Sequence, residues 1–375
     1  VRASDRGVET PQNLTDAQLA NEVRALCTRD LVLHRTPPPS AWLRRLADSP
    51  YAALPWDVYG VGGAADELGR RIAELLGKPA ALFFSRGVIA QQVALRIWAT
   101  SPRPSTVAVD AKSHLQLAEN DAIERLSGLS AIPITSSAGM TVANLAAIAE
   151  PIGAVTVELP LRRAGFQLPT WSELVEISDW CRARGIPLHI DGARLWESGP
   201  WFGRSYAEIA GLADSIYISL YKGLGAPSGA MLAGDADFMA KAKVWRLRYG
   251  GAPYRNVQST VAALHGLDTH LPKMADYVAR AIELAADLKA VGFKVTPDPP
   301  RSNAFHLFVA VDPQRLQAAH LAFAQSTASW LFNEPTATQI PGFAALEFMI
   351  GDGAEDFTNA EIIDSLAQIL DKARA

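Results

Sequence analysis

Two segments bring together residue types that can do covalent chemistry on a small molecule. The first is Ile186-Pro187-Leu188-His189-Ile190-Asp191-Gly192-Ala193-Arg194. An apolar strand ends in an acid, followed by a small-residue turn and an arginine. In open α/β sheets, ligands sit beyond the carboxyl ends of the strands, and that is where Asp191 falls. Taken alone, such an aspartate is more often a helix cap or a surface turn. The second segment is Ser215-Ile216-Tyr217-Ile218-Ser219-Leu220-Tyr221-Lys222-Gly223-Leu224-Gly225. Here an apolar strand delivers Lys222 into a glycine-rich turn. A lysine at the end of a buried strand is costly to desolvate unless it is exposed, paired or neutral. A neutral lysine can form a Schiff base with an aldehyde. A lone lysine more commonly snorkels to solvent. The glycines around Lys222 favour the other reading, because they let backbone close around a ligand.

Together the segments suggest pyridoxal 5'-phosphate as cofactor. Its aldehyde needs a lysine, and its ring nitrogen needs an acid that keeps it protonated so that the ring can accept electrons. Its phosphate needs backbone N–H groups at a helix start. Ser85-Arg86-Gly87-Val88, between a short apolar run and a helical stretch, offers such a start. Ser113-His114 follows another strand, and the imidazole can stack on a ring or carry a substrate proton. Of the seven histidines, His34, His189, His265, His270, His306 and His320 read as surface or structural residues. No HxxxH pair or other metal-like spacing occurs, so no metal site is expected.

These residues need a scaffold that sets them at strand ends. Apolar runs at Ala81–Phe84, Thr106–Val109, Ala131–Ile134, Ala154–Val157, Ile186–Ile190, Ser215–Ser219 and Gly229–Ala233 read as strands. They lack alternation, and helical segments separate several of them, which predicts a mostly parallel seven-stranded sheet buried on both faces. Helices are expected at Ala17–Cys27, Ala65–Leu76 with Gly77 as C-cap, and Val88–Trp98. Met274, Val278, Ala281, Ala285 and Leu288 recur at helical spacing before Gly292. Asp312-Pro313 and the pair Thr358/Glu361 mark two later helix starts. The expected division is an N-terminal segment with a helix (1–50), a large α/β domain (51–256) and a smaller C-terminal α+β domain (257–375).

Composition narrows the function. The chain has 375 residues, 35 Lys+Arg against 39 Asp+Glu and a formal net charge of −4. That balance argues against nucleic acid as the main partner. At 49% hydrophobic and 20% charged residues, the chain is globular rather than disordered. Cys27 and Cys181 are too few for a disulfide scaffold and fit a reducing compartment, so the cytoplasm is the expected location. No apolar run reaches about 18 residues, so no membrane span is expected. Residues 1–14 are polar and loose by composition, and no secretory signal pattern is present. Val1 in place of Met fits a processed or trimmed start.

The chain resembles the threonine aldolase / β-eliminating lyase family of fold type I pyridoxal phosphate enzymes. The likeness runs from about Asp57 to Gly251. It is carried by His189-Ile190-Asp191-Gly192-Ala193-Arg194-Leu195 and Tyr221-Lys222-Gly223-Leu224-Gly225-Ala226-Pro227. Asp57-Val58-Tyr59-Gly60, Ser113-His114, Glu119 and Leu126-Ser127-Gly128 are also similar. The resemblance implies Lys222 as the cofactor-bearing lysine, Asp191 as partner of the ring nitrogen and His114 stacked on the ring. It implies Arg194 on the substrate carboxylate, where a guanidinium can bind bidentately. Gly87, Val88 and Ser219 fall where the family binds phosphate. A homodimer or homotetramer acting on a small amino-acid substrate is also implied.

Departures concentrate around the substrate. Arg86-Gly87-Val88 stands where the family has Ser-Gly-Thr, with Arg86 as a replacement cationic contact. Tyr221 replaces a serine. The segment before Glu158 is short and lacks the family's second histidine, and Leu159-Pro160 follows in place of Asn-Thr. No second carboxylate-binding arginine is evident near Ala344-Ala345-Leu346-Glu347-Phe348; Arg162, Arg163 and Arg301 are the candidate substitutes. The leading expectation is a lyase that cleaves a threonine-like β-hydroxy-α-amino acid to glycine and an aldehyde. The alternatives are β-elimination from a β-substituted amino acid and a catalytically degenerate binding protein.

Overall fold

The computed structural model describes residues 11–100, 102–136 and 139–375. Of the polar stretch expected to be loose, residues 1–10 lie outside the described residues. The chain forms two compact units. The larger comprises Thr36–Glu283 and Thr296–Phe305; the smaller comprises the described residues up to Arg35, Leu284–Val295 and His306–Ala375. Against a linear division at residues 50 and 256, both units draw on non-contiguous stretches, because contact rather than chain order defines a compact unit.

The larger unit is built on seven strands: β1 (Ala80–Phe84), β2 (Thr106–Asp110), β3 (Ser130–Ile134), β4 (Ala154–Glu158), β5 (Leu188–Gly192), β6 (Ser215–Ser219) and β7 (Ala230–Gly234). Their order is β1-β7-β6-β5-β4-β2-β3. Strands β2 to β6 run parallel, and β7 is antiparallel to both β1 and β6. Every residue of β5 and β6 is buried. This accounts for the missing alternation: helices cover both faces, so both faces are apolar. The core beneath α2 (Gly87–Trp98) includes Val93, Val107, Val109 and Leu232. Trp98 stacks on Phe238 with centroids 4.8 Å apart.

Strand β5 starts at Leu188, two residues later than the apolar run suggests. Pro187 has no N–H to donate, and it joins the sheet only through its carbonyl, which accepts from Val155 N at 2.9 Å. The strand therefore continues through Asp191, whose carbonyl accepts from Leu159 N at 2.8 Å. Gly77 caps α1 (Gly63–Leu76) in a left-handed conformation, φ 58°. The larger unit also holds the short helix α3 (His114–Leu117), then α4 (Trp171–Ala183) and α5 (Leu195–Phe202).

A second sheet of four strands, most of whose residues belong to the smaller unit, comprises β8 (Lys294–Thr296), β9 (Ala304–Val309), β10 (Thr336–Ala337) and β11 (Ala344–Met349), in the order β10-β11-β9-β8. The smaller unit's helices begin as read: Asp312 caps Pro313–Thr327, and Thr358 with Glu361 forms a capping box on Asn359–Arg374. No described helix is long and apolar enough to cross a membrane.

Candidate active site

Three acids and two cations meet at the carboxyl end of the large sheet. Glu158 ends β4 and pairs in register with Asp191 of β5. Asp191 is buried, and its Oδ1 accepts from Ala193 N at 3.0 Å. Burial raises the Asp191 carboxyl above its ordinary range, against the charges of Lys222 and His114 and the Ala193 N–H. Glu158 is pushed up to about 7 by burial and by the Asp191 charge beside it, although its carboxylate accepts from His114 N at 2.7 Å and Arg162 N at 3.2 Å. Lys222 follows β6. Burial first and the Arg194 cation second bring its amine down to about 8, while Asp191, Glu158 and Glu197 pull the other way. The Lys222 environment is thus set by groups from three neighbouring strand ends.

Glu197, on the first turn of α5, is buried at 1% exposure. A Cβ on Gly223 would lie 2.6 Å from its Oε1. A side chain after Lys222 would therefore force the Glu197 carboxylate to move.

The start of α2 forms a cradle for an anion. No side chain caps it, so its first N–H groups point outward. Arg86 is exposed at the cap position and Val88 is half-buried. A Cβ on Gly87 would come within 2.2 Å of Tyr217 Oη, so only glycine lets the helix start lie over that phenol. Ser219 is fully buried, and its Oγ meets no partner with hydrogen-bond geometry. An orphaned hydroxyl, a bare helix N-terminus, a lysine with a depressed pKa and a desolvated acid fit the aldehyde, ring nitrogen and phosphate of pyridoxal 5'-phosphate.

His114 opens α3. Its Nδ1 lies 3.0 Å from Glu119 Oε1. Glu119 Oε2 accepts from Gln92 Nε2 at 3.1 Å, and Gln92 Oε1 accepts from Ser127 Oγ at 2.8 Å. A carboxylate facing Nδ1 selects the tautomer with the proton there and leaves Nε2 as an acceptor. The relay explains why Glu119 and Ser127 belong to the recognisable pattern. Gln92 has no signal in sequence, because it reaches the relay from α2.

Arg194 precedes α5, and its guanidinium lies over the Phe166 ring, 5.4 Å from the centroid. Among the candidate substitutes for a second arginine, Arg163 is exposed, and Arg162 donates its backbone N–H to Glu158. Arg301 donates to Leu168 O and lies over Trp201. Asp57 is a structural tie, accepting from Gly60 N, Asn256 N and Asn256 Nδ2. His189 keeps its structural reading. It is fully buried between Gln91 Oε1 at 2.7 Å and Ser215 Oγ at 2.8 Å, and burial lowers its pKa to about 3.

Glu158 was legible only as a landmark. An acid closing the apolar run Ala154–Val157, just as Asp191 closes Ile186–Ile190, was the signal that could have found it.

A model of the beta-eliminating lyase family matches residues 52–312, more than half of the chain. A crystal structure of a candidate L-allo-threonine aldolase from Listeria monocytogenes is 32% identical, covers 95% of this chain and 99% of its own, and superposes with a TM-score of 0.84. Low specificity L-threonine aldolase of Escherichia coli is 30% identical over 70% of this chain and 79% of its own. Low-specificity L-threonine aldolase of Candida albicans is 32% identical over 54% of this chain. The chain spans 57% and 63% of the length of its Candida albicans and Schizosaccharomyces pombe relatives. A serine palmitoyltransferase from Sphingomonas wittichii, 15% identical over 92% of this chain and 87% of its own at a TM-score of 0.65, shares the fold alone. With its spaced Asp191 and Lys222 on a largely parallel seven-stranded sheet, this chain belongs to the beta-eliminating lyase / threonine aldolase family of the fold type I pyridoxal phosphate enzyme superfamily.

Proposed function

We propose that this chain cleaves threonine-like β-hydroxy-α-amino acids to glycine and an aldehyde, with pyridoxal 5'-phosphate held at the strand ends. The observation that carries this reading is the placement of Lys222, just past β6, near enough to the buried Asp191 at the end of the adjacent β5 for each charge to shift the other's titration. When bound, the cofactor supplies a sink for the electron pair released as Cα–Cβ breaks.

The chain's residues do the rest. Lys222 holds the cofactor aldehyde and must be neutral to do so. Asp191 sets its charge against the ring nitrogen. The α2 start and Ser219 Oγ bind phosphate, with Arg86 at the rim. Arg194 grips the substrate carboxylate through two parallel N–H bonds. His114 would stack on the ring and take the β-hydroxyl proton at Nε2, with Nδ1–H directed to Glu119. The relatives named as threonine aldolases support cleavage over elimination.

Product analysis tests the reaction. Threonine, phenylserine and a β-substituted alanine are offered to the holoenzyme. Glycine plus aldehyde from the hydroxy amino acids is the expected result. Pyruvate and ammonia from the alanine, with no glycine from either other compound, would move the assignment to β-elimination. No turnover of any of them leaves the binding-protein reading. Borohydride reduction and peptide mapping test the site, with the cofactor expected on Lys222. A homodimer or homotetramer is proposed with it; the exposed Trp56, Tyr59, Val61 and Tyr254 support a second copy, and sedimentation gives the assembly.

A further inference from the structure

The turn 161–167 carries a side chain that its backbone disfavours. Phe166 has φ 60°, in the left-handed region, where a bulky residue is strained and glycine is not. It directly follows Gly165, itself at φ 86°. The conformation is over-determined by its surroundings. Leu161 N donates to Gln167 O at 2.8 Å, and Gly165 N and Phe166 N both donate to Arg162 O, at 3.0 and 3.2 Å. Gln167 Nε2 donates to Thr296 Oγ1 at 3.3 Å, and Arg301 holds the Leu168 carbonyl. A strained residue locked on every side calls for a reason in what its side chain does. The Phe166 ring is fully buried, and the Arg194 guanidinium lies over it at 5.4 Å, within cation–π range.

We propose that Phe166 is a positioning residue: its ring is the platform that fixes the Arg194 guanidinium for the substrate carboxylate. This rests on the reading of Arg194 given above. The root of Arg194 is already held, because its carbonyl accepts from Ser198 N at 3.2 Å and Ser198 Oγ at 2.8 Å at the start of α5. An arginine side chain has several torsions between root and tip, and ordering them opposes binding of a carboxylate. A ring face at the tip restricts those torsions, and a π contact itself uses no N–H donor. An aliphatic side chain of similar volume would fill the space but lacks the negative π face.

The test uses holoenzyme in which Phe166 is replaced site-specifically by 4-fluoro- and then 3,4,5-trifluorophenylalanine. Fluorination weakens the π face while changing shape little. Glycine affinity, measured by calorimetry, should fall stepwise, to about three- to tenfold weaker in the trifluoro protein. Thermal stability and cofactor content should hold. In an Arg194→Ala background the series should be flat. Phe166→Leu should raise KM for threonine and leave kcat within about twofold, the signature of lost ground-state binding. A flat fluorinated series in a protein whose Arg194→Ala variant loses glycine affinity overturns the platform and leaves Phe166 as core packing. Unchanged glycine affinity in Arg194→Ala overturns the carboxylate reading itself, and the platform with it.

Discussion

Lys222 can attack an aldehyde only as the free amine, so its titration determines how readily the site loads. Burial and the Arg194 cation bring it from the ordinary 10.5 to about 8. At pH 7 an amine of pKa 8 is neutral in about one molecule in 11, and one of pKa 10.5 in about one in 3000. The site therefore presents roughly 300 times more nucleophile than an exposed lysine would. The contributions carry opposite signs, which makes the account testable in both directions. Arg194→Gln removes a cation that disfavours the ammonium, and the Lys222 pKa should rise. Asp191→Asn and Glu158→Gln each remove an anion that favours it, and the pKa should fall. Competitive acetylation of the apoprotein across roughly pH 6 to 11, followed by peptide mass spectrometry, reads Lys222 against the exposed lysines. Its reactivity should level off near pH 8, and the break should move up in the first variant and down in the other two. Reactivity that keeps climbing to about pH 10, or a downward shift on losing Arg194, would refute the reasoning.

Three further outcomes follow from the geometry. Gly87→Ala places a Cβ within 2.2 Å of Tyr217 Oη, so cofactor affinity should drop at least about fivefold, as overpacking of 1–3 kcal/mol implies; Tyr217→Phe in the same chain removes that oxygen and should restore part of it by equilibrium dialysis. Asp191→Asn should fold and lose most turnover, since an uncompensated buried cation is expensive; near-normal kcat would make Asp191 a structural turn residue. The folded Glu158 carboxyl, at about 7 against an ordinary 4.5, binds a proton the unfolded chain has released. Its contribution to stability is therefore present below about pH 4.5 and lost as pH rises through 7, by up to about 3 kcal/mol. Glu158→Gln should gain Tm relative to the parent apoprotein between about pH 5 and 8, and parallel Tm curves would contradict it.

What could be read in the sequence was whatever one strand or one turn decides by itself. Asp191 and Lys222 each end an apolar run, and their types, a ring-nitrogen acid and an aldehyde-seeking amine, complete one another without any knowledge of pairing. Gly77, Asp312 and Thr358 were legible for the same reason: a cap is a local event with a local chemical rule. The unread part of the site depends on which elements lie side by side. Glu158 acquires its raised pKa only because β4 pairs with β5 and sets it against Asp191. Gln92 enters the His114 relay only because α2 passes Glu119, 27 residues along the chain. Gly87 is visible as a glycine, but its necessity comes from a tyrosine 130 residues later. Phe166 is the extreme case. In sequence it is an apolar residue after a turn glycine, with nothing to separate it from core. Its left-handed backbone and the guanidinium above its ring turn a packing residue into the candidate that orients the substrate. One departure from the family pattern, Leu159-Pro160, lies in this same stretch, between Glu158 and Leu168.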